Sequence, residues 1–356
     1  MKILHLSPEY FSSDSVIGGG TRYPLEIAKE MSKKDAKVRY IAFTKNRHQE
    51  MIGNLEVKVY KTNQLFRLGP NNPFCFSVFK DILWADVIHC YQLYYFLTSI
   101  AVLVGKLLGK KVFVTDLGGK ERNLIKKFNL VNLFDGFLCV SQFSASDFSS
   151  FKNKVKVIYG GVDANKFAPS DSYRGTGVLF VSRIMPHKGL NYLIEALPSD
   201  VNLTIVGHIY DQEYYQYCQK LAQGKKIEFL LDLSDAGLIE LYQSCAVLVS
   251  PSVLIDYRGQ EHPQSELLGI PPLEAAACEM PTIATRVASL SEVIIDQETG
   301  FLIEPNNPAA LWERIKFLLE NPEQAKKMGK AGRKMVLKKF TWEKAAEKCL
   351  EAYLQD

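Results

Sequence analysis

Glu266-Leu-Leu-Gly-Ile-Pro-Pro-Leu-Glu274, running on into Ala275-Ala-Ala-Cys278, is the stretch on which the reading of this chain turns. Two carboxylates eight positions apart bracket a glycine and a proline pair, and an alanine-rich run follows. Proline suits the first position of a helix, so a helix is expected to begin near Pro271 or Pro272. No Ser, Thr, Asp or Asn stands immediately before it to accept from its first backbone N–H groups. Such an end carries partial positive charge and suits an anionic group such as a phosphate. Glu274 is expected in the first turn with Glu266 across the loop, and small residues at 275–278 let the helix approach its neighbours closely. Taken singly, each acid reads more simply as a dipole partner or a solvated loop carboxylate. The string is more specific than its parts.

A second anion site is expected at Ser182-Arg-Ile-Met-Pro-His-Lys-Gly189, a strand-to-helix turn marked by Pro186 and Gly189. Arg183 offers a planar fork of donors and Lys188 a point charge, a pairing that suits a diphosphate. Gly18-Gly19-Gly20 follows the first strand and lets the backbone close on a ligand, or simply turn. It lacks the G-x-G-x-x-G spacing of a dinucleotide fingerprint, which weakens an NAD reading. The chain has no Asp-x-Asp pair. The expectation is no metal and no cofactor, with protein cations stabilising the leaving group.

With 356 residues, 47% of them hydrophobic, the chain can bury one large core or two ordinary ones. Seven scattered cysteines without a C-x-x-C pair read as reduced core thiols. The sequence opens on Met-Lys-Ile-Leu-His-Leu, a strand at once, so no signal peptide is expected. Its longest apolar run, Tyr94 to Gly105, is shorter than the roughly 20 residues that a bilayer demands. A cytoplasmic location is expected. Residues 1–165 carry 23 Lys and Arg against 14 Asp and Glu, leaving 20 against 25 of the totals of 43 and 39 for the remainder. Opposite signs suggest different partners for the two halves.

Strand-like runs alternate with helical patterns throughout. They fall at 3–6, 38–43, 55–60, 87–90, 112–115, 136–140 and 155–159, then at 177–181, 202–206, 227–230, 246–249, 282–284 and 300–303. Helical stretches include 21–32, 192–197, 235–244 and 308–320. The alternation predicts an α/β chain of parallel sheets covered by helices on both faces. A polar, turn-rich break at 166–177 divides it into two doubly wound, Rossmann-like domains, 1–165 and 166–340. The amphipathic segment 342–354 presents Ala346, Leu350 and Tyr353 on one face. In sheets of this kind ligands sit at the carboxyl ends of strands.

The string from Glu266 to Glu274 resembles the E-x7-E signature of retaining GT-B glycosyltransferases, family 4 above all. Val178-Leu-Phe-Val-Ser-Arg183 with Lys188-Gly189-Leu190 resembles that family's phosphate-binding Arg and Lys. Val157-Ile-Tyr-Gly-Gly-Val-Asp163 with Phe167 resembles its hinge, Gly18-Gly19-Gly20-Thr21 its N-terminal glycine loop, and Phe340-Thr341-Trp342 the start of its last helix. The likeness spans essentially the whole chain in the right order. It implies two Rossmann-like domains facing across a cleft, with 341–356 packing back onto the first.

By the same resemblance a sugar passes with retention from a nucleotide-diphosphate sugar to an acceptor hydroxyl, in glycan, glycolipid or polysaccharide synthesis. Arg183 and Lys188 meet the diphosphate, Glu274 the ribose, and Glu266 with the Leu268, Gly269 and Ile270 amides the donor sugar. Gly19, Gly20, Gly207, Leu231 and Leu273 complete the donor site. The family commonly has Gly-Phe where Leu267-Leu268 stand, and a glycine near Leu230-Leu231-Asp232. Asp116, in Val114-Thr-Asp-Leu-Gly-Gly119, stands where the family often has a histidine, and is expected at the donor sugar or the acceptor nucleophile. A turn-capping role is its alternative.

His89 matches a family position but reads as structural, and His5 as core. Tyr257-Arg-Gly-Gln-Glu-His-Pro263 lengthens the loop before Glu266 and is expected either to shape the sugar site or to carry solvated charges. Lys120, Lys126 and Lys127 border a helical stretch with Leu124, Ile125, Phe128 and Val131, expected either to pack on the core or to touch an anionic membrane or an acidic acceptor. The acceptor is a glycan, a lipid-linked group or a small molecule, and no nucleic-acid partner is expected. Rival readings are a nucleotide-sugar epimerase of the same fold and a non-catalytic sugar-nucleotide-binding subunit.

Overall fold

The computed structural model describes residues 1–10, 19–61, 72–118, 125, 128–170, 175, 177–231 and 233–355. Gly18, Lys120, Lys126, Lys127 and Asp232 therefore lie outside the described residues, and with them the expected basic helix. Two compact units emerge: residues 1–160 with 342–356, and residues 161–341.

In the first unit one sheet joins β1 (Lys2–Leu6), β2 (Lys37–Thr44), β3 (His48–Ile52), β4 (Leu55–Lys61), β5 (Val87–Tyr91), β6 (Lys111–Thr115), β7 (Gly136–Cys139) and β8 (Val155–Val157). Their order is β3-β4-β2-β1-β5-β6-β7-β8. All neighbours are parallel except β3 and β4. In the second, β9 (Val178–Val181), β10 (Leu203–Val206), β11 (Ile227–Leu230), β12 (Val247–Ser250), β13 (Thr282–Thr285) and β14 (Gly300–Ile303) form an all-parallel sheet ordered β11-β10-β9-β12-β13-β14. Strands buried on both faces carry continuous apolar runs. Each core gathers around one sheet: Leu4, Ile41, Ile88, Val114 and Phe137 in the first unit, Phe180, Ile205, Val249 and Ile283 in the second.

Strand β3 was not expected. His48, Gln49, Glu50 and Met51 are all exposed, so no burial pattern betrays them. The hairpin forms because Gly53-Asn54 turns the chain, with Ile52 opposite Leu55 and Gly53 at φ 58°.

The compact units divide at Gly160/Gly161, five residues before the expected domain boundary at 165/166. The segment 161–167 is tied to the second unit by the Val162 N–H to the Phe340 carbonyl (2.9 Å) and by Phe167, buried against Tyr242. Asp163 accepts from the Asn165 and Lys166 amides, closing a turn within it. The helix Trp342–Leu354 packs in the first unit on the helix Gly19–Ser32. Its buried face is Trp342, Ala345, Ala346, Cys349, Ala352 and Tyr353, so Cys349 rather than Leu350 points inward. Six of the seven cysteines are buried and all are free thiols. No helix among the described residues is long and apolar enough to cross a membrane.

Within each sheet the earlier strands lie on one side of a central pair and the later strands on the other, β1/β5 and β9/β12. At such a switch the loops leaving the two strands diverge to opposite faces and open a crevice at their carboxyl ends.

Candidate functional site

At the β9/β12 switch the chain leaves β9 through Ser182–Gly189. The turn is held by the Ser182 N–H to the Val206 carbonyl (3.0 Å) and the Ile184 N–H to the His208 carbonyl (2.8 Å). A short helical turn at Pro186–Lys188 ends on Gly189 at φ 68°, and a Cβ there would lie 2.0 Å from the Pro251 carbonyl oxygen. Only glycine lets the loop leaving β12 pass so close. The Val253 N–H then donates to the His187 carbonyl at 2.9 Å. Lys188 completes the join, its Nζ reaching both the Ser265 carbonyl oxygen and Glu266 Oε2 at 2.8 Å.

Lys188 and Glu266, 78 positions apart, thus form an ion pair across the switch, their side chains 7% and 17% exposed. Glu266 Oε1 also accepts from the Gly269 N–H at 3.1 Å. Arg183 leaves the same turn differently, its guanidinium lying 5.3 Å over the ring of exposed Tyr210. Between the two cations His187 is buried, and its imidazole is driven down to about 3 by that burial and by the charges of Lys188, His262 and Arg183.

The helix Ile270–Ala277 begins one residue before the expected prolines, after Gly269 at φ 82°. No side chain caps it. Its anion-binding capacity is nevertheless smaller than the sequence promised. Pro271 and Pro272 have no N–H, and Glu266 takes that of Gly269. Of the first three helical residues only Ile270 retains a donor. Glu274 is the fifth residue, one or two positions deeper than expected, because the left-handed glycine starts the helix early. It is buried, and the Tyr242 hydroxyl donates to its Oε2 at 3.0 Å. Leu268 and Leu273 are buried beside it in sequence, while Leu267 stays half-buried. Gly207 and Leu231 stand just past the ends of β10 and β11, linked by the Gly207 N–H to the Leu230 carbonyl (3.2 Å). The carboxyl edge of one sheet thereby collects Arg183, Lys188, Gly207, Leu231, Glu266, Gly269, Ile270 and Glu274.

In the first unit a small pocket at the β1/β5 switch is lined by Ser7, Glu9, Gly20, Gln92, Tyr95 and Leu117. Gly19 and Gly20 open the helix that borders it. Asp116, just past β6, accepts from the Leu93 N–H at 3.3 Å. Burial pushes its carboxyl from 3.8 up to about 6, with the charge of Asp147 adding to it against the Leu93 and Gly118 amides. The stability this acid contributes is full below pH 3.8 and is lost as pH rises through about 6. Asp116→Asn is expected to flatten that decline, read from melting temperatures across this window. An unchanged slope would contradict the burial account.

Gln92 was missed in the sequence. It holds φ 73°, uncommon for a non-glycine, and its Oε1 is buried without a hydrogen-bond partner among the described residues. No sequence pattern marks a glutamine for that conformation. His89, by contrast, is structural: Nε2 meets Thr115 Oγ1 at 2.8 Å and Nδ1 meets the Tyr353 hydroxyl at 2.7 Å, deep in the core. His5 is buried beside it, its Nδ1 2.8 Å from the Tyr91 hydroxyl.

Residues 166–335 match the model of Glycosyl transferases group 1, and residues 17–166 that of Glycosyltransferase Family 4. The uncharacterized glycosyltransferase MJ1178 of Methanocaldococcus jannaschii is 34% identical over 215 residues, which are 59% of this chain and 56% of that protein. The chain thus spans little more than half the length of that relative. D-rhamnosyltransferase WbpZ of Pseudomonas aeruginosa is 26% identical over 93% of this chain and 90% of its own. Anabaena Alr3699/HepE, solved in complex with UDP and glucose, shares the fold with a TM-score of 0.76 at 20% identity, covering 99% of this chain and 98% of that one.

Proposed function

The chain belongs to the GT-B glycosyltransferases, and from that premise we propose that it transfers a sugar, with retention, from a nucleotide-diphosphate sugar to an acceptor hydroxyl in glycan, glycolipid or polysaccharide synthesis. The Lys188–Glu266 pair across the β9/β12 switch carries this reading. Lys188 and Arg183 meet the diphosphate and the negative charge that grows on it as the glycosidic bond breaks. Glu266 accepts from a hydroxyl of the donor sugar, and Glu274, oriented by Tyr242, from the ribose. Gly207 and Leu231 border the base, and the Leu268–Ile270 backbone the sugar. Asp116 serves the donor sugar or the acceptor nucleophile, and Gly19 and Gly20 the donor. The UDP held by Alr3699/HepE supports a nucleotide-sugar donor. An epimerase would need an acid–base pair, and His89, with both nitrogens bonded in the core, leaves Asp116 without a partner for that task.

The test separates the two glutamates. Glu274→Gln is expected to weaken nucleoside-diphosphate binding by about 1–3 kcal/mol, the cost of a mismatched buried polar group. Glu266→Gln is expected to lower turnover while that affinity holds or rises, because Lys188 is released from its carboxylate. Calorimetry with UDP and GDP, beside steady-state kinetics on variants that melt normally, reads both. Two variants with parental binding and turnover would remove the site from this crevice.

Because protein cations neutralise the leaving group here, turnover is expected to survive EDTA. Complete loss on chelation with rescue by magnesium or manganese would overturn that expectation.

A further inference from the structure

The loop between β12 and Glu266 is wound around one buried acid. The Asp256 side chain is closed off from solvent, and its Oδ1 accepts from the Arg258 N–H (2.8 Å) and the Gln260 N–H (3.1 Å). Its Oδ2 lies 2.8 Å from His262 Nε2. The Asp256 N–H to the Gln260 carbonyl and the His262 N–H to the Leu254 carbonyl close the hairpin, with Gly259 at φ 79° in its turn. Outside it, Arg258 binds Asp211 at 3.0 Å and Tyr257 stacks on Tyr217 at 4.6 Å. The hairpin is therefore anchored on the second unit and not left to wave.

This anchoring delivers His262 to the anion turn. Its ring centroid lies 4.9 Å from that of His187, the residue before Lys188. Its carbonyl accepts from the Ser265 N–H at 3.1 Å, and Ser265 in turn accepts Lys188. Burial works against charge on Asp256, but the bonds from His262, Gln260 and Arg258 outweigh it and hold the carboxyl below its usual value. An ionised carboxylate can only accept, so the proton of this bond sits on Nε2. Nδ1 is the ring nitrogen left over, with no hydrogen-bond partner among the described residues, on a side chain 20% exposed.

We propose that His262 is a specificity-determining residue for the donor sugar, its Nδ1 sharing a hydrogen bond with one sugar hydroxyl on the side of the crevice that also carries Glu266. The proposal rests on the glycosyltransferase reading. A ring nitrogen fixed in place by Asp256 discriminates between epimers, because a hydroxyl of the wrong configuration leaves it unpaired. Asp256 acts through His262, as its positioning residue.

Two isosteric changes separate recognition from support. His262→Gln keeps a donor near the Nε2 place, and with it the Asp256 bond, but has no acceptor at the Nδ1 place. His262→Asn does the reverse. The probes are UDP, GDP, UDP-glucose, UDP-galactose, UDP-glucuronate and GDP-mannose, titrated by calorimetry into the full chain, with melting temperatures alongside. The Gln variant is expected to hold its melting temperature and its nucleoside-diphosphate affinity within about twofold, while losing about tenfold of the parent's preference among sugars, the scale of one hydrogen bond. The Asn variant is expected to melt lower yet keep more of that preference. An unchanged preference in the Gln variant overturns the proposal, as does an equal loss for nucleotides with and without a sugar, which would make His262 a prop for the loop. A parent that binds no member of the panel overturns the glycosyltransferase reading and this proposal with it.

Discussion

Lys188→Ala is expected to lower turnover by about 10²–10³-fold, the effect of removing one preorganised donor from a developing negative charge. The ammonium group is almost closed off from water, so its field is weakly screened. In the ligand-free protein it is already satisfied by Glu266 and the Ser265 carbonyl. Substrate phosphates must compete for it, and the part of its attraction that survives is the part that grows with charge on the leaving group. Nucleoside-diphosphate affinity should consequently fall less than turnover. The same change leaves the Glu266 carboxylate with the Gly269 amide as its one partner among the described residues, so the variant should also melt lower. Release of UDP from a UDP-sugar, followed with and without acceptor, gives the rate. Removing Glu266 as well should cost less than the two single losses together, since the groups act as a pair. A folded Lys188→Ala variant within threefold of the parent would show that the charge is elsewhere.

Gly189→Ala is expected to be strongly destabilising, because a left-handed backbone and a close approach act at one position. Left-handed backbone costs an L-residue about 1–2 kcal/mol, and crowding a packed site typically a further 1–3 kcal/mol. Here the obstacle is the Pro251 carbonyl at 2.0 Å, which is backbone and cannot rotate away. A loss of about 3 kcal/mol or more is expected, with the β12 loop displaced and donor affinity lost beside it. Gly224→Ala is the control, with φ 74° and nothing within 4 Å of the added atom, so it carries the conformational term alone. Urea unfolding of both variants decides the matter. Equal losses would mean that the close approach at Gly189 relaxes without cost.

The architecture was legible because buried parallel strands leave an unmistakable record: thirteen apolar runs marked strands that the structure contains. The missing strand, His48–Ile52, lies exposed at a sheet edge, where no burial selects its residues. The site was legible in its parts but not in its joins. Arg183 and Lys188 read as a matched pair of phosphate ligands, yet one stacks on Tyr210 and the other turns inward to Glu266. A pairing across 78 positions is set by strand order, which a single sequence does not display. The prolines at 271 and 272 signalled a helix start correctly, while the amides they remove passed unnoticed. His262 looked like one charge in a long loop because its partner Asp256 declares itself only by being buried.

The helix Trp342–Leu354 has a consequence for how the protein comes into being. It fills the first unit's core, placing Tyr353 against His89, but a ribosome reaches it only after making the whole of residues 161–341. At about 5–20 residues per second, the first 160 residues wait on the order of 10–40 s for their last piece. Throughout that time the surfaces of Tyr23, His89 and Phe113 that this helix covers have no permanent neighbour. The second unit, made from one uninterrupted stretch, can complete itself during the pause. The order of maturation therefore runs against the order of synthesis: the half made first is the half finished last.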